Sequence, residues 1–307
     1  DEETNDLLVV APIEDTPAFQ AGILAKDVIV EIDGQSTEGM DLNEAVNLIR
    51  GPVGTNVTLT IRRETTAGVE TQAVELERAR IEIHPVRYSQ QAGPDGQVGY
   101  IRLTQFSANA AEEMEEAIND LESQGVVGFI LDLRSNPGGL LYSSIDIARM
   151  WMGEGTIVST VDRRGIVDEQ IADNHALTEL PLVVLVDGGS ASASEILSGA
   201  LQDNDRAVLV GTNTFGKGLV QSVRGLGDGS GIAITVAKYL TPSGRDINQE
   251  GIAPDVVLEL SEAQREALAE DRTQIGTPAD PQFAEALSIL SREIAGETVA
   301  SPRASTN

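Results

Sequence analysis

Residues 181–204 read PLVVLVDGGSASASEILSGALQDN, and the fold class follows from this stretch. Its first half is an unbroken apolar run rich in valine, which predicts a strand buried on both faces. Two glycines and several small side chains then lead directly into a predicted helix over 192–204. A strand, a tight turn and a helix in immediate succession are typical of an α/β protein.

The same alternation continues on both sides of this unit. VVGFILDLR (126–134) predicts a second buried strand, followed by a glycine turn and a helix over 140–152. QVGYIRLTQF (97–106) predicts a strand before an amphipathic helix over 108–125. Further strands are predicted at 156–161, 207–211, 230–244 and 254–260, and further helices at 261–270 and 280–294. We therefore predict an α/β (α+β) core over residues 81–295 and expect 296–307 to be a disordered tail.

The first 80 residues follow a different pattern. Short strand-like runs separated by turn signals occur at 7–13, 27–34, 56–63 and 71–79. DLNEAVNLIRG (41–51) predicts one helix with an Asp or Asn cap at its start and Gly51 at its end. Residues 1–80 are therefore predicted to form a small β-rich domain.

The composition excludes or disfavours several classes of partner and of catalytic site. A net charge of −28 and an aromatic content of 3% argue against nucleic acid as a partner. The chain has no Cys and two His, so a thiolate nucleophile and a multi-His zinc site are both disfavoured. No apolar run reaches the roughly 18 residues of a membrane span. We expect neither a metal nor a cofactor.

The start of the helix at 192 is a candidate catalytic position. Free backbone N–H groups and the helix dipole stabilise developing negative charge at such a start. Ser190, Ser192 and Ser194 all lie there, and each is also a plausible helix cap, so the residues alone do not rank them. A nucleophilic serine needs a base, and His84 and His175 both lie in segments that predict surface positions.

Lys217 is the stronger candidate for the base. It is one of three lysines in the chain and lies between glycines in NTFGKGLVQSV (213–223), next to an apolar run. Burial there would favour the neutral amine that a general base requires. Gln221 could hold that amine if a helical turn follows Gly218, and it would share a face with Lys217 if the segment is extended.

A second turn of the same kind follows the strand at 126–134. In LDLRSNPGGLL (131–141), Gly138 or Gly139 could supply one oxyanion hydrogen bond, with the Ala193 N–H as the other. An ordinary turn is the alternative interpretation of this segment.

Several of these segments together resemble the carboxy-terminal processing peptidases, the Ser-Lys proteases of bacteria, thylakoids and plastids. The matching stretches are DLRSNPGGLL, GGSASASEILSGALQDN, VGTNTFGKGLVQ, TPSGRDINQEGIAPD and GTPADPQF, in the order used by the family. The segment 16–51 resembles the PDZ domain of that family, and the resemblance covers residues 7–291. The segments TPSGRDINQEGIAPD and GTPADPQF look most similar to the cyanobacterial and plastid branch.

The resemblance implies a fold and a role for each site residue. The fold would be a protease core with ββα-type repeats behind a PDZ-like domain. Ser192 would be the nucleophile, Lys217 the general base and Gln221 the residue that orients the base. The backbone amides of Gly138 and Ala193 would form the oxyanion hole.

The resemblance also implies a setting. Substrates would be exported proteins with apolar, unstructured carboxy-terminal tails, cut in the periplasm or thylakoid lumen, and the sequence leaves the oligomeric state open. The PDZ-like domain is expected to lack its first strand and its carboxylate-binding loop, because no glycine precedes Gly22. Two alternatives remain at this point. One is a non-catalytic peptide-binding or chaperone-like protein, and the other is an acyl-CoA enzyme on a related fold.

Overall fold

The computed structural model describes residues 4, 6–9, 12–13, 16–24, 26–65, 68–81, 84–225 and 231–297, with the backbone alone at 64–65, 166–167, 221–225, 231 and 233. The chain divides into two compact units, Asp1–Ile83 and His84–Asn307. Each unit has its own apolar core.

The first unit is an antiparallel sheet with helices beside it. Its elements are β1 (Leu7–Leu8), α1 (Pro17–Gln20), β2 (Val28–Ile32), β3 (Gln35–Ser36), α2 (Leu42–Ile49), β4 (Asn56–Thr65) and β5 (Gly68–Glu77). The strand order is β1–β2–β4–β5, with β3 paired to β2. Ile29 faces Ile61 across the sheet, and both are buried with Leu59 and with Ala45 of α2. The alternation of apolar and polar residues along β4 is what puts these side chains on one face.

Both ends of α2 are satisfied by side chains. The Asp41 carboxylate accepts a hydrogen bond from the Asn43 N–H at 2.8 Å, which confirms the predicted cap at the helix start. At the other end Arg78 donates to the carbonyl oxygens of Leu48 at 2.9 Å and Ile49 at 2.8 Å. These are carbonyls that a helix leaves without partners, so Arg78 fixes where α2 ends.

The first unit contains an ion pair between a buried carboxylate and a partly exposed guanidinium. Asp27 is 1% exposed and accepts two hydrogen bonds from Arg63, each 2.6 Å long. The hydrogen bonds from Arg63 hold the pKa of Asp27 below its usual value of 3.8. The pair therefore stabilises the folded unit fully above that pH, and the stabilisation is lost as pH falls through the lower pKa of the folded state.

Arg63→Met is expected to reduce the free energy of unfolding of this unit at pH 7, because it leaves the buried Asp27 carboxylate without its charged partner. The variant should also lose less stability than the wild type when the pH falls from about 5 to 3. Calorimetry of the intact chain at several pH values measures both effects. Arg62→Met is the matched control, because both side chains of its pair with Asp6 are more than a third exposed. Equal losses in the two variants would contradict the expectation.

The second unit contains two sheets. Its strands are β6 (Val86–Gly93), β7 (Gly96–Leu103), β8 (Phe129–Asp132), β9 (Thr156–Asp162), β10 (Gly165–Ile171), β11 (Leu182–Val186), β12 (Val208–Gly211), β13 (Leu219–Gly225), β14 (Gly231–Leu240) and β15 (Val256–Val257). Its helices are α3 (Ala110–Ser123), α4 (Leu141–Trp151), α5 (Ala193–Asp203), α6 (Glu262–Glu270) and α7 (Pro281–Ile294), with a 3-10 turn at Arg272–Gln274. One sheet has the order β15–β12–β11–β8–β7–β6, and the other, antiparallel, has the order β10–β9–β14–β13.

The larger sheet is covered on both faces. Val184 and Val186 of β11 pack into a core with α3, α4 and α5, whereas Val183 and Leu185 pack against α7. Successive side chains of a strand point to opposite faces, so a strand between two helical layers has to be apolar throughout. This confirms the α/β core expected from the segment at 181–204.

The longest described helices, α3 and α7, have 14 residues each. Among the described residues no helix has the length and apolar character needed to cross a membrane. The described residues end at position 297, so the tail predicted at 296–307 lies outside them except for its first two residues.

Candidate active site

The turn between β11 and α5 has the geometry of a strained nucleophile turn. Ser192 is the residue directly before α5 and has φ 57° and ψ −111°, in a region that non-glycine residues rarely occupy. Such strain at a strand-to-helix turn is characteristic of nucleophilic serines, whose hydroxyl is presented above the sheet. Ala193 is the first residue of the helix, so its N–H has no helical acceptor.

The structure separates the three serines that the residues alone left unranked. Ser190 and Ser194 are both fully buried. Ser190 Oγ donates to the Leu133 carbonyl at 2.8 Å, and Ser194 Oγ donates to the Asn136 carbonyl at 2.9 Å. These two hydroxyls therefore fasten the turn to the loop that follows β8. Ser192 is partly exposed and lies between them.

The two predicted oxyanion residues lie side by side. A Cβ added to Gly138 would lie 2.5 Å from the Ala191 oxygen and 2.9 Å from the Ala193 nitrogen, so the loop after β8 touches the backbone around Ser192. Gly138 also has φ 94°, which disfavours any side chain there. Its N–H donates to Asn136 Oδ1 at 2.9 Å. The Gly138 N–H can therefore bind an oxyanion only by sharing or exchanging its bond to Asn136. The Ala193 N–H, in contrast, lies at the start of a helix.

Lys217 lies in the segment between β12 and β13, and the prediction that it is buried in an apolar setting is wrong. Burial alternates here: Thr214, Gly216 and Gly218 are buried, whereas Phe215 and Lys217 are exposed. The two glycines pack closely against the backbone of residues 248–249, because a Cβ on either would meet that backbone at 3.1 Å or less. The Lys217 side chain consequently faces solvent.

Glu195 connects the two candidate catalytic residues, and sequence reasoning missed it. Its fully buried carboxylate accepts the N–H of Ser192 and the N–H of Lys217 on Oε2, both at 2.8 Å. Its Oε1 accepts the Thr214 hydroxyl at 2.6 Å and the Gly216 N–H at 2.7 Å. One carboxylate thus positions the backbone of both Ser192 and Lys217. The serine-to-glutamate spacing of a capping box was the signal that could have revealed it.

A buried charge cluster supports the loop that carries Gly138. Arg134 donates to Asp132 Oδ2 at 2.6 Å, to Asp280 Oδ2 at 2.7 Å and to Gln282 at 2.9 Å, and all four residues are buried. Tyr100 donates its hydroxyl to Asp132 at 2.7 Å. Burial alone would raise the pKa of Asp132, but the charge and hydrogen bonds of Arg134 outweigh it and hold that pKa below its usual value.

The remaining candidates are placed as follows. Gln221 belongs to the extended strand β13, and its side chain lies outside the described residues. His84 and His175 are exposed and pair with Glu113 and Asp173, which agrees with the surface positions expected for them.

Comparison with known proteins identifies the family. Residues 97–258 match the family model described as Peptidase family S41, and residues 8–63 match that of the PDZ domain. The chain belongs to peptidase family S41. This serine-type family confirms both the predicted resemblance and the predicted enzyme class, and it removes the acyl-CoA enzyme from consideration.

The S41 relatives include proteins from cyanobacteria and chloroplasts. A carboxyl-terminal-processing protease of Synechocystis is 50% identical over 298 residues, which cover 95% of this chain and 67% of that protein. The chloroplastic carboxyl-terminal-processing peptidase 3 of Arabidopsis thaliana is 46% identical, with 82% of this chain and 50% of that protein covered. The solved photosystem II D1 C-terminal processing protease is 39% identical with a TM-score of 0.55, and the match covers 83% of this chain and 68% of that one. The chain thus spans between half and about two thirds of the length of these S41 proteins.

Proposed function

We propose that this S41 peptidase is a serine endopeptidase that cuts protein substrates near their carboxy-terminus with Ser192 as nucleophile and Lys217 as general base. The observation that carries the proposal is the Glu195 carboxylate, which binds the backbone N–H groups of both residues at 2.8 Å. A buried carboxylate with four donors has no spare acceptor for solvent, so its role is to hold other groups in place.

The proposed reaction uses these residues in turn. Ser192 Oγ attacks the scissile carbonyl while the neutral form of the Lys217 amine accepts its proton, and Lys217 then gives that proton to the leaving amine as the scissile C–N bond breaks. The Ala193 N–H stabilises the oxyanion, with Gly138 as the second donor once its N–H is shared with the substrate. Water activated by Lys217 then hydrolyses the acyl-enzyme. Gln221 is proposed to orient the Lys217 amine.

The proposed substrates are exported proteins with apolar, unstructured carboxy-terminal tails. The net charge of −28 supports this choice, because it disfavours the approach of acidic tails. The relatives named for chloroplasts and for D1 processing support a periplasmic or thylakoid-lumen location and substrates that resemble the D1 protein.

The test is to incubate the chain with two carrier proteins that differ only in an appended tail, one apolar and one acidic. Mass spectrometry should show shortening of the apolar-tailed carrier at its carboxy-terminus, and rapid quenching should show an acyl adduct on the peptide that contains Ser192. A chain that binds the apolar tail without shortening it would instead be the non-catalytic peptide-binding protein. Shortening with an adduct on another residue would refute the assignment of Ser192.

A further inference from the structure

The exposed aromatic side chains are distributed unevenly. The chain has ten aromatic residues, five Phe, four Tyr and one Trp, and six of them are buried in the cores. The buried ones are Tyr100, Phe106, Phe129, Trp151, Tyr239 and Phe283. The two most exposed are Tyr142 at 73% and Phe215 at 65%. Both belong to the segments that form the candidate active site.

Phe215 is held beside Ser192 and Lys217. Its N–H donates to the Ser190 carbonyl at 3.0 Å, which ties its backbone to the turn that ends at Ser192. The alternation of buried and exposed residues along 214–218 puts Phe215 on the same solvent-facing side as Lys217. An aromatic ring therefore lies on the side of the segment where the proposed base emerges.

A second apolar edge follows the oxyanion loop. Leu140 is the residue directly before α4 and is 53% exposed, and Tyr142 lies in the first turn of that helix. Gly138, two residues earlier, is in contact with the backbone at Ala191 and Ala193. Leu140 and Tyr142 thus directly follow the loop that contacts the turn at Ser192, whereas Phe215 belongs to the segment that carries Lys217.

We propose that Phe215 on one side, and Leu140 with Tyr142 on the other, contact the substrate side chains next to the scissile bond and select apolar ones. The inference rests on the proposed peptidase function. Large exposed apolar side chains that cluster around reactive groups mark a binding surface, because covering them on binding is favourable. None of the three carries a charge, so an acidic or basic substrate side chain would gain no partner from them.

The experiment compares two peptide substrates that differ only at the residues flanking the scissile bond, leucine in one and serine in the other. Wild type should cleave the leucine peptide with the higher kcat/KM. Phe215→Ala should reduce the ratio of kcat/KM for the leucine peptide to kcat/KM for the serine peptide by about tenfold, which is the scale of an apolar specificity contact. Phe215→Leu should recover most of the ratio. The double variant Leu140→Ala/Tyr142→Ala should reduce the ratio as well.

The controls separate this inference from the proposed function. Tyr88→Ala removes an exposed aromatic from β6, at the opposite edge of the larger sheet from β15, and should leave the ratio unchanged. If wild type cleaves neither peptide, the peptidase proposal itself fails. If wild type prefers leucine and every variant keeps the same ratio, the inference is overturned, even if the variants lose activity on both peptides equally.

Discussion

Ser192→Ala is expected to lower kcat/KM for cleavage of an apolar-tailed substrate by about a millionfold. The change removes the nucleophile and keeps the hydrogen bond from the N–H of residue 192 to Glu195, because that bond uses the backbone and not the side chain. Alanine and serine both carry a Cβ, so the strain at φ 57° is nearly the same and the melting temperature should hold. Steady-state kinetics and thermal unfolding of the same preparation measure both quantities.

Lys217→Ala should cause a loss of similar size, and combining it with Ser192→Ala should add little, because the two residues act as a unit. Lys238→Ala is the matched control, since Lys238 is exposed and forms an ion pair with Asp246 at 2.7 Å. Full activity in the Lys217 variant would refute its role as the base and would require another proton acceptor beside Ser192.

Glu195→Gln is expected to lower kcat by about two to three orders of magnitude while changing KM little. A glutamine side chain has one acceptor oxygen, so its amide nitrogen must face some of the four donors that Glu195 now accepts. Either the backbone at Ser192 and Lys217 or that at Gly216 then loses its partner. The expected result is a displaced Ser192 or Lys217 in an otherwise folded chain.

Thr214→Val distinguishes positioning from stability. It removes the Thr214 hydroxyl from the same carboxylate but leaves the bonds from Ser192 and Lys217 in place. Thr214→Val and Glu195→Gln should each lower the free energy of unfolding by about 1–3 kcal/mol, since each leaves a buried polar group unsatisfied. Only Glu195→Gln should lose most of its kcat. A fall in kcat that tracks the loss of stability equally in both variants would show that Glu195 is structural only.

The parts of the fold that could be predicted from the sequence are those specified by local patterns. The runs that become β8 and β11 are apolar throughout because each is covered on both faces, and the helices at 192–204 and 280–294 appear as α5 and α7. Strands β6 and β10 were not predicted, because RYSQQAG and VDEQI are mostly polar and gain their pairing from a neighbouring strand.

The site was predictable only in part. The two strand-to-helix turns were predictable from their patterns, but those patterns did not rank Ser192 above Ser190 and Ser194, or Gly138 above Gly139. The structure brings Ser192, Ala193 and Gly138 together. The exposure of Lys217 was mispredicted because an apolar neighbourhood in sequence does not say which side of the chain faces the core. Glu195 and Arg134 were missed because their partners are distant: 22 residues separate Glu195 from Lys217, and 146 separate Arg134 from Asp280.

The Arg134 cluster has a consequence for the smallest piece of this chain that can work as a protease. Two of its four members, Asp280 and Gln282, come from the start of α7, whereas the S41 match ends at residue 258. A fragment cut at that limit would keep every proposed catalytic residue and yet remove two of the three residues, Asp280 and Gln282, to which the buried Arg134 guanidinium donates. It would also uncover the face of the larger sheet on which Phe283 and Leu290 pack. A fragment that folds and cleaves substrate on its own therefore has to extend to Ile294, so α7 is required in addition to the catalytic serine.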